Sequence, residues 1–202
     1  MWIEPVTLAG SGVRLEPLAE AHATALWAGS GDPAIYRYKP YHLASEDDLR
    51  VFIAAAARLH ARGGGLAFAT VDQVSGVPIG SSSYLAADRQ HRRLEIGGTW
   101  VIPARQRTAV NTEAKLLMLR HAFETLDCLR VEFKTDRLNE RSRRALRRIG
   151  AVEEGTLRNH LVMPDGRRRD SVYFSIIADE WPAVQERLHR FLARPEPVPA
   201  AR

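Results

Sequence analysis

A glycine-containing strand that stops at a proline, directly before a long helix, is the feature that most constrains the fold of this chain. The strand, RRLEIGGTWVI, ends at Pro103, and proline cannot supply the amide hydrogen that a strand ladder needs. Glycines inside a strand mark a bulge or a close backbone approach. The strand is therefore predicted to separate from one neighbour and to leave amides with which an extended, amide-containing ligand could pair. A sheet-edge bulge without a ligand is the alternative, and the strand by itself favours it.

Alternation along this strand predicts two faces. One face carries Leu94, Ile96, Gly98, Trp100 and Ile102. The other face carries Glu95, Gly97, Thr99 and Val101. In the following helix, apolar residues recur at helical spacing along one line and charged residues along another. The apolar line consists of Leu116, Leu119, Phe123 and Leu126. The charged line consists of Glu113, Arg120, Glu124 and Asp127. The helix is therefore predicted to be amphipathic.

The six residues QRTAVN at positions 106–111, called here the 106–111 loop, connect this strand to the helix. If the helix begins near Asn111, the amides of the loop converge at the positive end of the helix dipole. The small side chains of Thr108 and Ala109 leave room there for a diphosphate. Alternatively, Asn111 or Thr108 only caps the helix. On geometry alone the two interpretations have equal weight.

A later short helix, NERSRRALRRIG, has a serine on its predicted inner side. Ser142, Ala145, Leu146 and Ile149 share that side by their i, i+3, i+4, i+7 spacing, and Asn139 stands one turn earlier. A serine in this position is a candidate hydroxyl for chemistry. The commoner alternative is that Asn139 caps the helix and Ser142 hydrogen-bonds back to it.

The remaining patterns predict one α/β domain over residues 1–194 and a disordered tail at 195–202. The predicted order is a strand, two helices, three strands, a helix, a strand, a helix and two strands, with a terminal helix after them. The elements form a mixed sandwich around one sheet. Ser45, followed by acidic residues, marks the start of the second helix.

Composition narrows the choice of partners and of cellular location. The net charge is +5, but only three of the 29 basic residues are lysines, and the arginines are spread along the chain without an aromatic-and-basic platform. No nucleic-acid partner is therefore predicted. No run is long enough to span a membrane and the first residues are not those of a signal peptide, so we expect a cytoplasmic protein. The lone Cys128 is predicted to be a buried packing thiol.

Taken together, the strand, the P-x-x-Q-x-x-A-x-N loop, its helix and the N-x-x-S helix resemble the GCN5-related N-acetyltransferase (GNAT) superfamily. The likeness runs from VRLEPL to YFSIIADEW and is greatest to the branch that acetylates the N-termini of ribosomal proteins. It implies a mixed, mostly antiparallel sheet of about seven strands, with a splayed fourth strand and helices on both faces. It also implies acetyl-CoA as the acyl donor, and no metal.

The resemblance assigns coenzyme contacts to the end of the splayed strand, to the 106–111 loop and to the later helix. These residues are Val101, Ile102, Gln106, Arg107, Thr108, Ala109, Val110, Asn111, Asn139 and Ser142. Ala109 replaces the glycine usual in the family, and Asn111 replaces a glycine or alanine. Because alanine resists positive φ and adds a methyl group near the phosphates, weaker or differently placed coenzyme binding is expected.

The resemblance also implies two catalytic residues. Glu95 matches a carboxylate that serves as base, directly or through water, and Ser142 matches a hydroxyl that gives a proton to the leaving thiolate. The implied acceptor pocket has Tyr36, Tyr38 and Tyr41 in the loop that forms one wall, and His160, a further candidate base, near the opposite wall. Packing as an ordinary lid is an equal alternative for the tyrosine loop, and a structural role is the commoner one for a strand histidine.

The expected activity is direct transfer of an acetyl group from acetyl-CoA to a primary amine in a ternary complex, with a protein N-terminus as a candidate acceptor. One alternative is a small-molecule amine such as an amino acid, a polyamine or an antibiotic. Two others are a non-catalytic acyl-CoA-binding domain, suggested by the altered loop, and a basic RNA-associated protein, suggested only by the charge. A monomer or homodimer without a membrane partner is expected.

Overall fold

A computed structural model describes residues 2–193 as five helices around one sheet. The strands are β1 (Leu8–Ala9), β2 (Val13–Pro17), β3 (Leu66–Asp72), β4 (Pro78–Asp88), β5 (Arg93–Val101), β6 (Arg130–Asp136), β7 (Val152–Val162) and β8 (Arg168–Ile177). The helices are α1 (Ala23–Ser30), α2 (Glu46–Ala61), α3 (Val110–Arg120), α4 (Glu140–Ile149) and α5 (Trp181–Leu192). The predicted tail at 195–202, and the domain limits at residues 1 and 194, lie outside the described residues.

The sheet has the strand order β1-β2-β3-β4-β5-β6-β8-β7. Every neighbouring pair is antiparallel except β5 and β6, which are parallel. The predicted mixed, mostly antiparallel α/β architecture is thereby confirmed. The sheet contains eight strands rather than about seven because Leu8–Ala9 adds a two-residue edge strand, which is too short to leave an alternating pattern in the sequence. The predicted splayed strand is β5 in this count.

Helices cover both faces of the sheet, as predicted, and each face has its own apolar core. One core packs α3, α4 and α5 against the sheet, through residues such as Leu117, Leu146 and Leu188. The other packs α1 and α2 against the opposite face, through residues such as Leu26 and Leu49. These are called here the α3 face and the α1 face. No helix within residues 2–193 combines the length and the apolarity that crossing a bilayer requires.

Strand β5 is paired along most of its length on one side only. It pairs with β4 along most of its length, but with β6 only where Arg93, Leu94 and Glu95 oppose residues 130–132. The space beyond Glu95 on the β6 side is called here the β5–β6 gap. The predicted separation from one neighbour is therefore present.

A bulge in β5 corrects the predicted alternation. Gly98 has a left-handed φ of +64°, and the register with β4 shifts between Ser81 and Ser83. The extra residue inverts the side-chain order, so that Ile96 faces the α3 core while Trp100 faces the α1 core. The prediction that Leu94, Ile96 and Trp100 share a face is wrong, because simple alternation holds only for an unbulged strand.

Glu113 also differs from its predicted place on a charged helix face. It is only 7% exposed, and its carboxylate accepts hydrogen bonds from the amides of Ser11 and Gly12 in the turn between β1 and β2. A side chain on Gly10 would collide with this carboxylate, because an ideal Cβ there lies 2.3 Å from Glu113 Oε1. Glu113 is therefore not a solvent-facing charge, and it holds the edge of the sheet to α3.

Candidate active site

The 106–111 loop is held by the side chain of Gln106. Its Nε2 donates to the Val101 carbonyl at 2.9 Å, and its Oε1 accepts from Arg141 Nη1 at 2.6 Å. The first contact ties the loop to the end of β5, and the second ties it to α4. Gln106 therefore fixes the distance between the strand and the two helices that border the gap.

The start of α3 offers backbone donors that the protein itself does not use. Arg107 has a left-handed φ of +64°, and neither its amide nor that of Thr108 has a hydrogen-bond partner among residues 2–193. The helix begins at Val110, and Ala109 at the N-cap position supplies no side-chain cap. The Asn111 Oδ1 atom is buried without a partner in the same part of the chain. Free amides at a positive helix end suit an anionic group.

Thr108 has a role that belongs to neither interpretation of the loop. Its hydroxyl donates to the Arg105 carbonyl at 2.8 Å and accepts from the Val110 amide at 3.3 Å. It therefore stabilises the turn before the helix and leaves the first-turn amides beyond Val110 without a side-chain acceptor. Asn111, the other capping candidate, lies inside the helix.

The main chain of Ile102 is already engaged. Its amide donates to Ile79 at 2.9 Å and its carbonyl accepts from Arg105 at 3.0 Å. Its side chain packs against α1, where an ideal Cβ on Gly29 would lie 2.8 Å from Ile102 Cγ2. Contact between Ile102 and a ligand would therefore involve its side chain, whereas Val101, one residue earlier, still belongs to the strand bordering the gap.

Glu95 lies on the α1 face, at the point where β5 leaves β6. It is 6% exposed, and its Oε2 forms an ion pair with Lys134 Nζ at 3.1 Å. An ideal Cβ on Gly97 would be 2.6 Å from Glu95 Oε1, so the glycine makes room for the carboxylate to fold along the strand. The ion pair and the glycine together hold this carboxylate beside the gap.

His160 belongs to the same charged neighbourhood. Its Nδ1 is 3.0 Å from Ser171 Oγ, and its ring lies 5.9 Å from that of Tyr173. Burial lowers the pKa of His160, the nearby cations Lys134 and Arg169 lower it further, and Glu95 opposes them. The structure thus brings the predicted histidine into the electrostatic range of the predicted base.

Ser142 lies at the start of α4 and is half-buried. Its amide donates to Asn139 Oδ1 at 3.1 Å, so the predicted capping role of Asn139 is present. The Ser142 hydroxyl, in contrast, has no hydrogen-bond partner among residues 2–193. Because α4 packs on the α3 face through Leu146 and Ile149, Ser142 and Glu95 belong to opposite faces of the sheet.

The tyrosine loop packs against β5 and buries polar atoms. Tyr36 is 3% exposed, and its ring lies 6.2 Å from Tyr41 and 6.4 Å from Trp100. Burial raises the pKa values of Tyr36 and Tyr41. The hydroxyl of Tyr41 and the Trp100 indole nitrogen are buried without partners among the described residues, and the Tyr36 hydroxyl lies near that of Ser30. Tyr38 is half-buried, and its carbonyl accepts from Arg169 Nη1 at 3.3 Å. The loop is both a lid and a source of unpaired polar groups.

Two lysines at β5 were not predicted to belong to the site. Lys39 Nζ donates to the Thr99 carbonyl at 2.6 Å, and Lys115 Nζ donates to Thr99 Oγ1 at 2.7 Å and to Ser82 Oγ at 3.3 Å. A sequence signal existed, because Lys39, Lys115 and Lys134 are the only lysines in an arginine-rich chain. All three contact β5 residues.

Neither Cys128 nor a cluster of metal-ligating side chains adds chemistry to the described part of the chain. Cys128 is 2% exposed, and burial raises the pKa of its thiol to about 12, so it is the predicted packing thiol and not a nucleophile. Residues 2–193 contain no group of three or more histidine, cysteine, aspartate or glutamate side chains arranged to hold a metal ion.

Comparison with known proteins places this geometry in context. Residues 13–152 match the model of the acetyltransferase (GNAT) domain family. The chain is 35% identical over 94 residues to YdaF of Bacillus subtilis (strain 168), which is described as a putative ribosomal N-acetyltransferase. That match covers 46% of this chain and 50% of YdaF, so the chain spans about half the length of this curated relative.

Two solved structures match nearly the whole chain. A crystal structure of a putative acetyltransferase from T. thermophilus is 39% identical, with a TM-score of 0.86, and the match covers 95% of this chain and 100% of that chain. A GCN5-related N-acetyltransferase from Brucella melitensis is 29% identical, with a TM-score of 0.88 and coverage of 96% and 88%. The similarity therefore includes the β5–β6 gap and the start of α3.

Proposed function

The chain belongs to the acetyltransferase (GNAT) domain family, and we propose that it transfers an acetyl group from acetyl-CoA to the primary amine of a protein N-terminus in the cytoplasm. One observation carries the proposal: the uncapped start of α3 lies beside a gap in the sheet that has Glu95 on one face and Ser142 on the other. The description of YdaF as a ribosomal N-acetyltransferase favours a protein N-terminus over a small-molecule amine.

Residues at the mouth of the gap fit the diphosphate of the acyl donor. The amides of Arg107 and Thr108 are donors without a partner among residues 2–193, and Asn111 lies beside them in the first turn of α3, with an Oδ1 atom that accepts no hydrogen bond from those residues. Ala109 and Val110 add little bulk at the first turn, and Gln106 holds the loop in place. The pantetheine arm then runs along β5 at Val101 and Ile102, with Asn139 and Ser142 on the α4 side.

The chemistry needs three contributions from the protein. Glu95 accepts the proton of the attacking amine, directly or through a water molecule, while the main chain near Val101 polarises the carbonyl. Ser142 donates a proton to the departing sulfur. The acyl donor supplies an activated thioester carbonyl, at which a C–N bond forms as the C–S bond breaks. Tyr36, Tyr38 and Tyr41 form one wall of the acceptor pocket, and His160 lies near the opposite wall.

A thiol-release assay with acetyl-CoA tests the proposal. The acceptor panel contains peptides with free N-termini, the same peptides with blocked N-termini, amino acids and polyamines. We expect thiol release with the free peptides, none with the blocked ones, and a mass increase of one acetyl group at the peptide N-terminus. Faster turnover of a small-molecule amine would replace the proposed acceptor. A coenzyme-dependent rise in melting temperature without turnover of any amine would indicate a binding domain.

A further inference from the structure

The lysines of this chain are few, and all of them contact β5. Lys134 forms an ion pair with Glu95, but Lys39 and Lys115 both donate to Thr99 and neither has a carboxylate within ion-pair distance among residues 2–193. Thr99 lies in the part of β5 that has no β6 partner. Two ammonium groups thus meet at the gap without an opposite charge.

A third cation lies beside Lys39. Arg169 is 4% exposed, and its Nη1 donates to the carbonyl of Tyr38, the residue before Lys39. Its Nε is buried without a hydrogen-bond partner among the described residues. The nearby carboxylates Glu95 and Asp136 stabilise its charge, but each is shared with another cation, Glu95 with Lys134 and Asp136 with Arg167. Lys39, Lys115 and Arg169 are called here the cation cluster.

Such a cluster is unfavourable in the free protein. A buried charge without a partner costs free energy, and like charges repel one another. The lysines can relieve this by losing protons: burial and repulsion lower the pKa of Lys39 to about 8 and that of Lys115 to about 7. Arg169 cannot lose its proton under any ordinary condition. Arg169 therefore keeps its charge with an Nε that has no partner among the described residues, and an anion from outside the chain would supply one.

We propose that the cation cluster binds a carboxylate carried by one of the two substrates, either on the acyl chain of the donor or on the acceptor beside its amine. The proposal rests on the function proposed above. The phosphates of the donor do not account for the cluster, since their predicted position is the start of α3. Lys115 extends instead from the second turn of that helix into the sheet, towards Ser82 and Thr99.

The choice of lysine supports this assignment. An ammonium group can be neutral in the empty site and charged in the occupied one, whereas arginine carries its charge in both states. Arginine occupies almost all of the remaining basic positions of the chain. Lysine at 39 and 115 reduces the repulsion among the three cations when no substrate is bound. The guanidinium of Arg169 provides the permanent charge that attracts the carboxylate.

The test compares two arms, each with a charged and a neutral substrate. The donor arm uses succinyl-CoA and acetyl-CoA with one neutral amine. The acceptor arm uses acetyl-CoA with amidated glycylglutamate and amidated glycylglutamine. In one arm we expect kcat/KM to be about tenfold or more higher for the charged substrate, as is usual for a desolvated charge pair. The arm that shows the preference identifies which substrate carries the carboxylate.

Variants connect the preference to the cluster. Lys39→Met and Arg169→Met should bring the charged-to-neutral ratio close to one, and any loss of turnover common to both substrates cancels in that ratio. Arg89→Met, which removes an exposed arginine in the turn after β4, should keep the wild-type ratio. Lys39→Gln is a second variant in case the methionine disturbs folding, and melting temperatures establish that each variant is folded.

The outcomes separate this inference from the proposed function. Equal kcat/KM for charged and neutral substrates in both arms overturns the carboxylate site but leaves the acetyltransferase in place. An equal loss on charged and neutral substrates in Lys39→Met also overturns it. If no amine is acetylated, the proposed function fails. Binding is then measured with succinate alone, which should raise the melting temperature of the wild type but not that of Lys39→Met; no rise in the wild type overturns the site.

Discussion

Helices α2 and α3 begin in opposite ways. At α2, the Ser45 hydroxyl accepts from the Asp48 amide at 3.1 Å, and the Asp48 carboxylate accepts from the amides of Ser45 and Ala44 at 3.1 and 2.8 Å. These amides lower the pKa of Asp48. At α3, Ala109 offers no side-chain acceptor. The chain thus satisfies one helix start by itself and leaves the other open, which separates a structural helix end from a candidate binding site.

The largest expected effect comes from closing the open helix start. Ala109→Glu places a carboxylate where the diphosphate is proposed to bind, so the variant should lose the whole increase in melting temperature that we expect coenzyme A to give the wild type. Ala44→Glu adds the same charge at the start of α2 and should retain the increase. A folded Ala109→Glu protein with the full increase would remove the 106–111 loop from the binding site.

The next effect tests whether an ion-paired carboxylate can still be functional. Glu95 and Glu132 lie on neighbouring strands and both form ion pairs. Glu95 pairs with Lys134, and Glu132 pairs with Arg93 and Arg130. Glu95→Gln should lower turnover by about a hundredfold or more, the usual contribution of a general base, with little change in coenzyme affinity. Glu132→Gln should keep turnover within a few-fold of the wild type. Equal rates for the two variants would make Glu95 structural.

The start of α4 combines the features of a capped and an open helix start. Asn139 caps the helix, while the Ser142 hydroxyl has no hydrogen-bond partner among the described residues. Ser142→Ala should lower kcat by about tenfold to a hundredfold, a modest value for a proton donor, and leave the coenzyme-induced rise in melting temperature unchanged. Acyl donors whose thiols are more acidic should partly restore the rate, since they need less protonation. A wild-type kcat would show that the serine only contributes its amide to the cap.

The unpaired lysines should make stability depend on pH. The lysines of an unfolded chain keep their protons to about pH 10, whereas Lys39 and Lys115 in the folded protein have pKa values of about 8 and about 7. The unfolded state therefore binds more protons, and the free energy of unfolding should rise between pH 7 and pH 9, by up to about 1 kcal/mol per pH unit for each lysine.

Lys115→Met isolates this contribution. The variant should show a smaller rise in the free energy of unfolding over the same pH interval, measured by urea denaturation of the coenzyme-free protein. The histidines with lowered pKa values, His121 and His160, titrate below this interval in the folded state. An identical pH dependence in wild type and variant would show that Lys115 titrates as an ordinary lysine.

The smallest effect comes from opening the closed helix start. Ser45→Ala removes the acceptor for the Asp48 amide and should lower the free energy of unfolding by about 1 kcal/mol. Because α2 has no part in the proposed site, the coenzyme-induced rise in melting temperature should be unchanged. Ser45→Asp keeps a capping oxygen and should recover most of the loss. A Ser45→Ala variant with weakened coenzyme binding would end the distinction between the two helix starts.

Local patterns were the predictable part of this structure. Ser45 followed by acidic residues gave the start of α2, and the glycine pair before Pro103 indicated the separation of β5 from a neighbour. Both follow from the chemistry of a few adjacent residues. Most of the fold could be predicted for this reason, since the periodicity of each element is written in consecutive positions.

The remaining features depend on residues far apart in sequence. Glu113 was assigned to a charged helix face because the donors to its carboxylate, Ser11 and Gly12, lie about one hundred positions earlier. The contact between Lys39 and Thr99 likewise joins two segments through the folded sheet. Periodicity cannot indicate such pairs, and the rarity of lysine was the only local sign that Lys39 and Lys115 differ from the surrounding basic residues.

The bulge at Gly98 sets a parity rule for β5. Glu95 and Trp100 are an odd number of positions apart, and they lie on the same side of the sheet only because one residue in between is not counted by the ladder. If the bulge closed while the residue count stayed the same, strict alternation would turn Trp100 away from Glu95; deleting the bulged residue as well would make the spacing even and keep both on one side. A transplant of this strand into another scaffold must therefore keep the odd residue count and the bulge together, since either one without the other reverses the faces of the residues beyond Gly98.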